Sequence, residues 1–119
     1  MSIVIYHNPR CSKSRKTLEL IREGGVEPEI VEYLQEVPDA AQLKELAGLL
    51  EVPLADLLRK SEAEFVEARD LPALSDDDAL ANWLWQHPIV LQRPIVVDRS
   101  TGRAVVGRPP ENVSELLDQ

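Results

Sequence analysis

The residue best suited to chemistry is Cys11, the single cysteine of the chain. It follows a short apolar run and a polar turn, and a helix is predicted to begin near Cys11 or Ser12. Unpaired backbone N–H groups and the positive end of a helix dipole stabilise an anion at such a position. An ordinary thiol has a pKa of about 8.5, so this placement predicts a lowered pKa and a nucleophilic thiolate. The alternative is an inert, buried cysteine, which is common for lone cysteines.

The residues after Cys11 limit the chemistry further. The segment Cys11–Ser14 reads C-x-x-S, which excludes the dithiol exchange of a C-x-x-C motif, and Thr17 excludes the C-x5-R loop of tyrosine phosphatases. One cysteine forms neither an intramolecular disulfide nor a cysteine-rich metal site. We therefore expect no bound metal or cofactor and a second thiol supplied from outside. Ser14 either bonds to the thiolate or supports the first helical turn, and the sequence leaves both roles open.

Charge is unevenly distributed along the chain. The formal net charge is −8, yet residues 1–22 hold five basic residues and one glutamate, which gives this segment a charge of +4. A local positive patch on an acidic protein suits a small anion better than a polymer, and the acidic total argues against sequence-independent binding of nucleic acid. The patch includes Arg10, Lys13 and Arg15, with His7 nearby. The alternative is that these residues only solvate one helix.

Length and composition predict a single domain, residues 1–119, because domains cluster near ~100–150 residues. Apolar residues make up 44% of the chain and charged residues 29%, as in ordinary globular proteins. No apolar run approaches the ~20 residues that span a bilayer, and the N-terminus lacks the pattern of a signal peptide. We therefore expect a cytoplasmic protein without a membrane partner, in a compartment that keeps thiols reduced.

A β-α-β unit is predicted at the start of the chain. Residues 3–6 form a buried strand, the following helix ends at Gly24-Gly25, and residues 29–33 form a second strand. Such a unit implies parallel strands.

The middle of the chain is predicted to be helical. Asp39 caps one helix, Pro53 begins a shorter helix that ends at residues 59–60, and capping boxes begin at Ser61 and Ser75. The helix after Ser75 should end before a proline-containing turn near residue 88.

The last third of the chain returns to strands. Two apolar runs, 95–97 and 104–106, flank a turn at 100–102 and predict a β-hairpin, and Pro109-Pro110 suits the first turn of a final helix. The order β-α-β, helical insertion, β-β-α predicts an α/β fold with a mixed sheet, in the thioredoxin-like arrangement. Another small α/β sandwich has a compatible order of elements.

The sequence resembles the glutaredoxin-coupled arsenate reductases over nearly its whole length. Each matching segment is weak by itself, but their combination and order are specific. The similarity is greatest to a short branch of that family, whose members have about 115–120 residues. The matching segments are YHNPRCSKSR (6–15), LLRK (57–60), HP (87–88), QRPIVV (92–97) and GRPP (107–110).

The resemblance implies a role for each matched residue. Cys11 is the nucleophile, His7 favours its thiolate, and three arginines bind the arsenate oxyanion, namely Arg59, Arg93 and Arg108. The implied reaction passes through an arseno-thiol ester on Cys11, with glutathione as co-substrate and glutaredoxin as the partner that clears the mixed disulfide. We expect a monomer in which Ser14 assists Cys11. The expected supporting residues are Asn8, Arg10, Arg15 and Pro94, and the last of these is implied to follow a cis bond and face the cysteine.

The sequence leaves rival interpretations open. A thiol oxidoreductase of the same family could act on another small oxyanion. The Spx-type transcription regulators share the implied fold and bind a protein partner, although they commonly carry C-x-x-C where this chain has Ser14. Taken singly, Arg59 could offset a helix dipole, Arg108 could be a plain loop residue, and His7 could be structural.

Overall fold

A four-stranded mixed sheet joins the two ends of the chain. The computed structural model describes residues 1–117, and its strands are in the order β2-β1-β3-β4. β1 pairs in parallel with β2 and antiparallel with β3, and β3 pairs antiparallel with β4. The strands are β1 (Ile3–His7), β2 (Glu29–Glu32), β3 (Ile95–Asp98) and β4 (Arg103–Val106).

The chain divides into two compact units, and the sheet lies in the first of them, Met1–Glu36 with the chain from Arg93 onward. Helix α1 (Ser12–Glu23) connects β1 to β2, so the predicted parallel β-α-β unit is confirmed. The helix ends where the two glycines predicted it, and Gly25 has a φ of 84°, a conformation that favours glycine. The predicted hairpin is confirmed by the antiparallel pairing of β3 with β4.

Apolar side chains from two helices cover one face of this sheet. Ile3 and Ile5 alternate along β1 and therefore point to the same side, where they pack with Ile21 of α1 and with Leu116. All four are at most 4% exposed, and burial of each such side chain contributes about 1.5–3 kcal/mol. This packing holds α1 against β1 and so fixes the turn between them, which carries Cys11.

The predicted final helix is present, but it begins in a tighter form. Residues Pro110–Val113 form a 3₁₀ helix, and α5 (Ser114–Leu117) continues from it. Val113 is 1% exposed and belongs to the same core cluster as Leu116. The end of the described chain is therefore held against the sheet.

The second unit, Val37–Gln92, is helical. Its helices are α2 (Ala40–Leu50), α3 (Ala63–Val66) and α4 (Asp77–Gln86), with 3₁₀ helices at Leu54–Leu57 and Pro88–Val90. Helix α2 packs against α4, with leucines of both helices buried. The predicted cap at Asp39 is confirmed, because its carboxylate accepts the Gln42 N–H at 2.9 Å while the Gln42 side chain accepts the Asp39 N–H at 2.9 Å.

Three helix boundaries in this unit were wrong in the sequence prediction. The helix after Pro53 ends at Leu57, before residues 59–60, because the chain then turns to pair Leu58 with Leu91 in an isolated bridge. Helix α3 begins after Glu62 and not after Ser61, and the Glu62 side chain makes no capping hydrogen bond. Helix α4 is capped by Asp76, whose carboxylate accepts the Ala79 N–H at 3.1 Å. Ser75 and Asp76 are both good capping residues, and the packing of the helix selects one of them.

Candidate active site

Cys11 occupies the N-cap position of α1, as the sequence predicts. Its backbone is extended, with φ −95° and ψ 121°, and its carbonyl accepts the N–H of Arg15 at 3.0 Å, which begins the helix. The Cys11 N–H donates to the Asn8 carbonyl at 3.0 Å, so a hydrogen-bonded turn joins the end of β1 to the helix. The side chain is partly exposed and the thiol is free. A reagent can therefore reach a sulfur held at the positive end of a 12-residue helix.

The surroundings of Cys11 lower the pKa of its thiol. Burial acts in the opposite direction and would raise it, but the backbone N–H groups of Ser14 and Lys13 lower it. The positive charge of Arg108 and a side-chain hydrogen bond from Arg93 lower the pKa further. The balance favours the thiolate, the nucleophilic form.

Arg108 is the cation placed most clearly against the sulfur. Its Nη2 lies 3.7 Å from Cys11 Sγ, and its Nε–H donates to the carbonyl of Arg93 at 2.7 Å. That second bond fixes the direction of the guanidinium. Arg93 is only 7% exposed, and the peptide bonds that follow Arg93 and Arg108 are both cis, the first of them at Pro94 as the resemblance implied. The structure thus gathers Cys11, Arg93 and Arg108 at one place.

His7 and Ser14 form a buried pair beside this place. His7 Nδ1 lies 2.7 Å from Ser14 Oγ, and Ser14 Oγ also accepts the backbone N–H of Asn8 at 3.0 Å. Burial lowers the pKa of His7, Glu32 raises it, and the nearby charges of Arg22 and Arg15 lower it again, with a net lowering. The lowered pKa favours the neutral form of the ring. The Ser14 side chain is engaged with β1, which favours its role in supporting the first helical turn.

Asn8 stabilises the turn through three hydrogen bonds. Its side-chain carbonyl accepts the N–H of Arg10 at 3.0 Å, its amide donates to the hydroxyl of Tyr33 at 3.3 Å, and its backbone N–H donates to Ser14. Tyr33 is fully buried. The expected supporting role of Asn8 thus has a physical basis, and Tyr33 is an additional support that the sequence did not indicate.

The other predicted basic residues make contacts of their own. Arg10 and Arg15 are exposed, and Arg15 Nη1 donates to the carbonyl of Pro9 at 2.9 Å, which closes the turn over its outer side. Arg59 belongs to the second unit, where its N–H donates to the Val90 carbonyl at 2.7 Å and its guanidinium lies 4.0 Å from the Glu62 carboxylate. Its assignment to the oxyanion stays a prediction.

Two further residues shape the site and were missed from the sequence. Gly107 approaches α1 so closely that an added Cβ would lie 2.5 Å from Thr17 Oγ1 and 2.8 Å from Pro94 Cγ. Asn112 donates from its side-chain amide to the carbonyls of Val106 and Arg108, at 3.1 and 3.2 Å. The GRPP segment gave a signal for the glycine, but nothing in the sequence marked Asn112.

Neither a metal-binding cluster nor a membrane-spanning helix is found within residues 1–117. Within residues 1–117, no group of three or more His, Cys, Asp and Glu side chains is arranged to hold a metal ion. Over the same range, no helix has the length and apolar character needed to cross a membrane.

The fold and the site define a thioredoxin-like α/β protein with a free, partly exposed cysteine at the start of its first helix. The family model described as the ArsC family matches residues 6–116. The arsenate reductase of Neisseria meningitidis (strain Z2491) is 43% identical over 117 residues, which covers 97% of each chain. The uncharacterized protein YfgD of Escherichia coli K12 is 44% identical, over 97% of this chain and 96% of its own. Among solved structures, the arsenate reductase from Vibrio cholerae superposes with a TM-score of 0.86 at 41% identity and 97% coverage of both chains.

The chain therefore belongs to the ArsC family, the family of arsenate reductases. The match extends over the described elements that form the candidate site, from the end of β1 to the start of α5.

Proposed function

We propose that this protein reduces arsenate to arsenite in the cytoplasm, with the Cys11 thiolate as nucleophile, glutathione as co-substrate and glutaredoxin as protein partner. Membership of the ArsC family and relatives named arsenate reductase support the substrate. The observation that carries the proposal is the Cys11–Arg108 pair, in which a guanidinium nitrogen lies 3.7 Å from the nucleophilic sulfur. A cation at that position attracts the anion and stabilises the charge that develops on it.

Arginine is well suited to a tetrahedral oxyanion. Its guanidinium is planar, permanently charged and able to donate two parallel hydrogen bonds. Arg93 and Arg108 flank Cys11 in the described structure, and we assign them to the oxygens of arsenate. Arg59 is assigned to the same oxyanion by the resemblance of its segment. The pair that flanks Cys11 would hold arsenic in line for attack by the sulfur, which converts an encounter into a positioned reaction.

The chemistry then needs two external thiols, because the chain has one cysteine. Cys11 Sγ attacks As(V), an S–As bond forms, and an oxygen leaves as water after protonation. A glutathione thiolate attacks the Cys11 sulfur, an S–S bond forms, and the electron pair of the broken S–As bond stays on arsenic. Arsenic leaves as arsenite, As(III). A glutaredoxin thiol takes the glutathione from the mixed disulfide and returns Cys11 to its thiolate.

Ser14, His7 and Asn8 are assigned to positioning. Their hydrogen bonds join the first turn of α1 to the end of β1, so the N–H groups that lower the pKa of Cys11 keep their direction. The lowered pKa of buried His7 disfavours the imidazolium, so we assign His7 to holding the turn before Cys11 through its contact with Ser14.

The proposal is tested by arsenate-dependent oxidation of NADPH in an assay coupled through glutathione, glutaredoxin and glutathione reductase. We expect turnover by the wild type and none by Cys11→Ser. Ser12→Ala is the matched control, because Ser12 is an exposed neighbour whose loss removes a hydroxyl without touching the sulfur. Its activity should equal that of the wild type.

Three other outcomes would each change the assignment. Turnover with another small oxyanion but not with arsenate would keep the enzyme class and change the substrate. Turnover that persists in Cys11→Ser would contradict the nucleophile. No turnover with any oxyanion, together with a Cys11 that alkylates readily, would favour a redox-sensing regulator that binds a protein partner.

A further inference from the structure

Arg108 reaches Cys11 from a short loop, and its position is not fixed by the sheet alone. It follows β4, which ends at Val106, and precedes the 3₁₀ helix at Pro110–Val113. A long flexible side chain on a mobile loop would spread its charge over many orientations, and holding it in one orientation costs side-chain entropy. Some contact must therefore hold the loop for the charge to act consistently on the sulfur.

The side chain of Asn112 makes such a contact, in addition to the Gly107 N–H, which donates to the Pro94 carbonyl at 2.9 Å. The side-chain amide nitrogen of Asn112 lies 3.1 Å from the carbonyl of Val106 and 3.2 Å from that of Arg108, and it donates to both. The orientation of the amide follows from chemistry, because a carbonyl oxygen only accepts and the NH₂ group is the only end of the amide that donates. The two bonds bracket Gly107, the residue that lies against α1 and Pro94.

Asn112 is itself well anchored. Its backbone N–H donates to the carbonyl of Pro109 at 3.0 Å, and its neighbour Val113 is 1% exposed in the core cluster beneath the sheet. Because the backbone beside Asn112 is fixed in the core, its side-chain amide holds the loop in a fixed position relative to the core. At the other end of Arg108, Nε–H is held by the Arg93 carbonyl at 2.7 Å and Nη2 points to Cys11 Sγ.

We propose that Asn112 is a positioning residue for the reaction, which acts by clamping the Arg108 loop so that the guanidinium stays beside the Cys11 sulfur. It touches neither the sulfur nor the anion assigned to the site, and its effect passes through Arg108. Its part in arsenate reduction rests on the proposed function, whereas its effect on the reactivity of Cys11 does not. Without the clamp, the mean positive charge at the sulfur falls and the thiolate loses stabilisation.

The test measures the rate at which iodoacetamide alkylates Cys11 in the full chain, as a function of pH and without arsenate. Below the pKa of the thiol this rate follows the thiolate fraction. We expect Asn112→Ala to slow alkylation about two- to fivefold in this range and to move the midpoint of the pH profile upward, because one hydrogen-bonded restraint of ordinary strength is lost. The rate at high pH, where the thiol is fully ionised, should not change.

A matched control separates this effect from the loss of an amide in general. Asn82 in α4 donates from its side-chain amide to the Asp78 carbonyl at 3.1 Å, in the other unit. Asn82→Ala removes the same kind of bond and should leave the alkylation profile unchanged. If Asn112→Ala folds poorly, Asn112→Ser keeps a polar side chain that is too short to reach both carbonyls, and it should shift the profile in the same direction.

A double-variant comparison shows whether the effect passes through Arg108. In an Arg108→Ala background, the added Asn112→Ala change should have no further effect on the pH profile. An equal shift in both backgrounds would overturn the proposal and make Asn112 a general structural residue. An unchanged profile in folded Asn112→Ala would overturn it too. The alkylation assay contains no arsenate, so its result does not depend on the proposed function. A wild type that fails to turn over arsenate would refute the proposed function without changing the conclusion about Asn112.

Discussion

Gly107→Ala is the substitution for which the structure gives the sharpest expectation. The backbone at Gly107 does not have the positive φ that only glycine adopts readily, so alanine fits its conformation. The added Cβ of alanine, however, would clash with neighbouring side chains. This Cβ would lie 2.5 Å from Thr17 Oγ1, 3.1 Å from Thr17 Cγ2 and 2.8 Å from Pro94 Cγ, where ordinary contacts begin near 3.4 Å. Both neighbours are buried, and Thr17 Oγ1 is held by a bond to the Lys13 carbonyl at 2.8 Å.

The expected magnitude follows from two opposing contributions. Overpacking a buried contact costs about 1–3 kcal/mol when neighbours must shift. Replacing glycine by alanine reduces the entropy of the unfolded chain and so raises the free energy of unfolding by about 0.4–1 kcal/mol. Because two different neighbours lie closer than 3.0 Å and both must shift, the cost of overpacking is in the upper half of its range, about 2–3 kcal/mol. The free energy of unfolding should therefore fall by about 1–2.6 kcal/mol. The loop that carries Arg108 should also move away from α1, so alkylation of Cys11 near neutral pH should slow.

Urea denaturation at neutral pH measures the change, with Gly48→Ala as the matched control. Gly48 is exposed within α2, and a Cβ there meets nothing within 4 Å. Because alanine is the better helix former, Gly48→Ala should raise the free energy of unfolding by about 0.5–1 kcal/mol. A Gly107→Ala protein as stable as the wild type would refute the idea that close packing against Thr17 and Pro94 fixes this loop.

Three further predictions follow from individual contacts. Arg108→Ala should lower kcat/KM for arsenate about 10²–10³-fold in the coupled assay, whereas Arg103→Ala, an exposed arginine on β4, should leave it unchanged. The pKa of buried His7 is lowered, so on acidification His7 is protonated in the unfolded chain at a higher pH than in the folded protein. The stabilisation from neutral His7 is therefore full above about pH 6.5 and is lost as the pH falls below that value. Urea unfolding above and below about pH 6.5 should show a smaller loss of stability for His7→Gln than for the wild type. Asp98 is 1% exposed and accepts hydrogen bonds from Ser100 at 2.6 and 3.0 Å, so Asp98→Ala should reduce the free energy of unfolding by about 2–3 kcal/mol, as thermal and urea melts would show.

Local patterns were enough to predict most of the fold. Apolar runs bounded by glycine and proline located the strands and the hairpin, and the paired glycines after Glu23 located the end of α1. The helix predicted to start at Ser61 begins one residue later, after Glu62, without a side-chain cap. The predicted helix start at Ser75 was wrong because the adjacent Asp76 is nearly equal to serine as a cap and tertiary packing chooses between them. A sequence pattern carries no information on that choice.

For the candidate site too, local sequence patterns predicted some residues and not others. Cys11 was identified from its own position, because a strand, a turn and a helix start are local features. Arg93 and Arg108 were found only through the resemblance, since their approach to Cys11 depends on the pairing of β3 with β1 and with β4. No local pattern encodes that order of strands. Asn112 was missed for the same reason, because its amide acts on carbonyls that only the folded loop brings together.

The central claim, arsenate reduction through a single thiol, is tested most directly by the intact mass of the protein. Incubated with arsenate and glutathione but without glutaredoxin, the protein should accumulate a species about one glutathione heavier, attached at Cys11, because it has no second cysteine to resolve the intermediate. Glutaredoxin should clear this adduct and restart turnover. An adduct that forms equally without arsenate, or no adduct on a Cys11 that still alkylates, would contradict the claim.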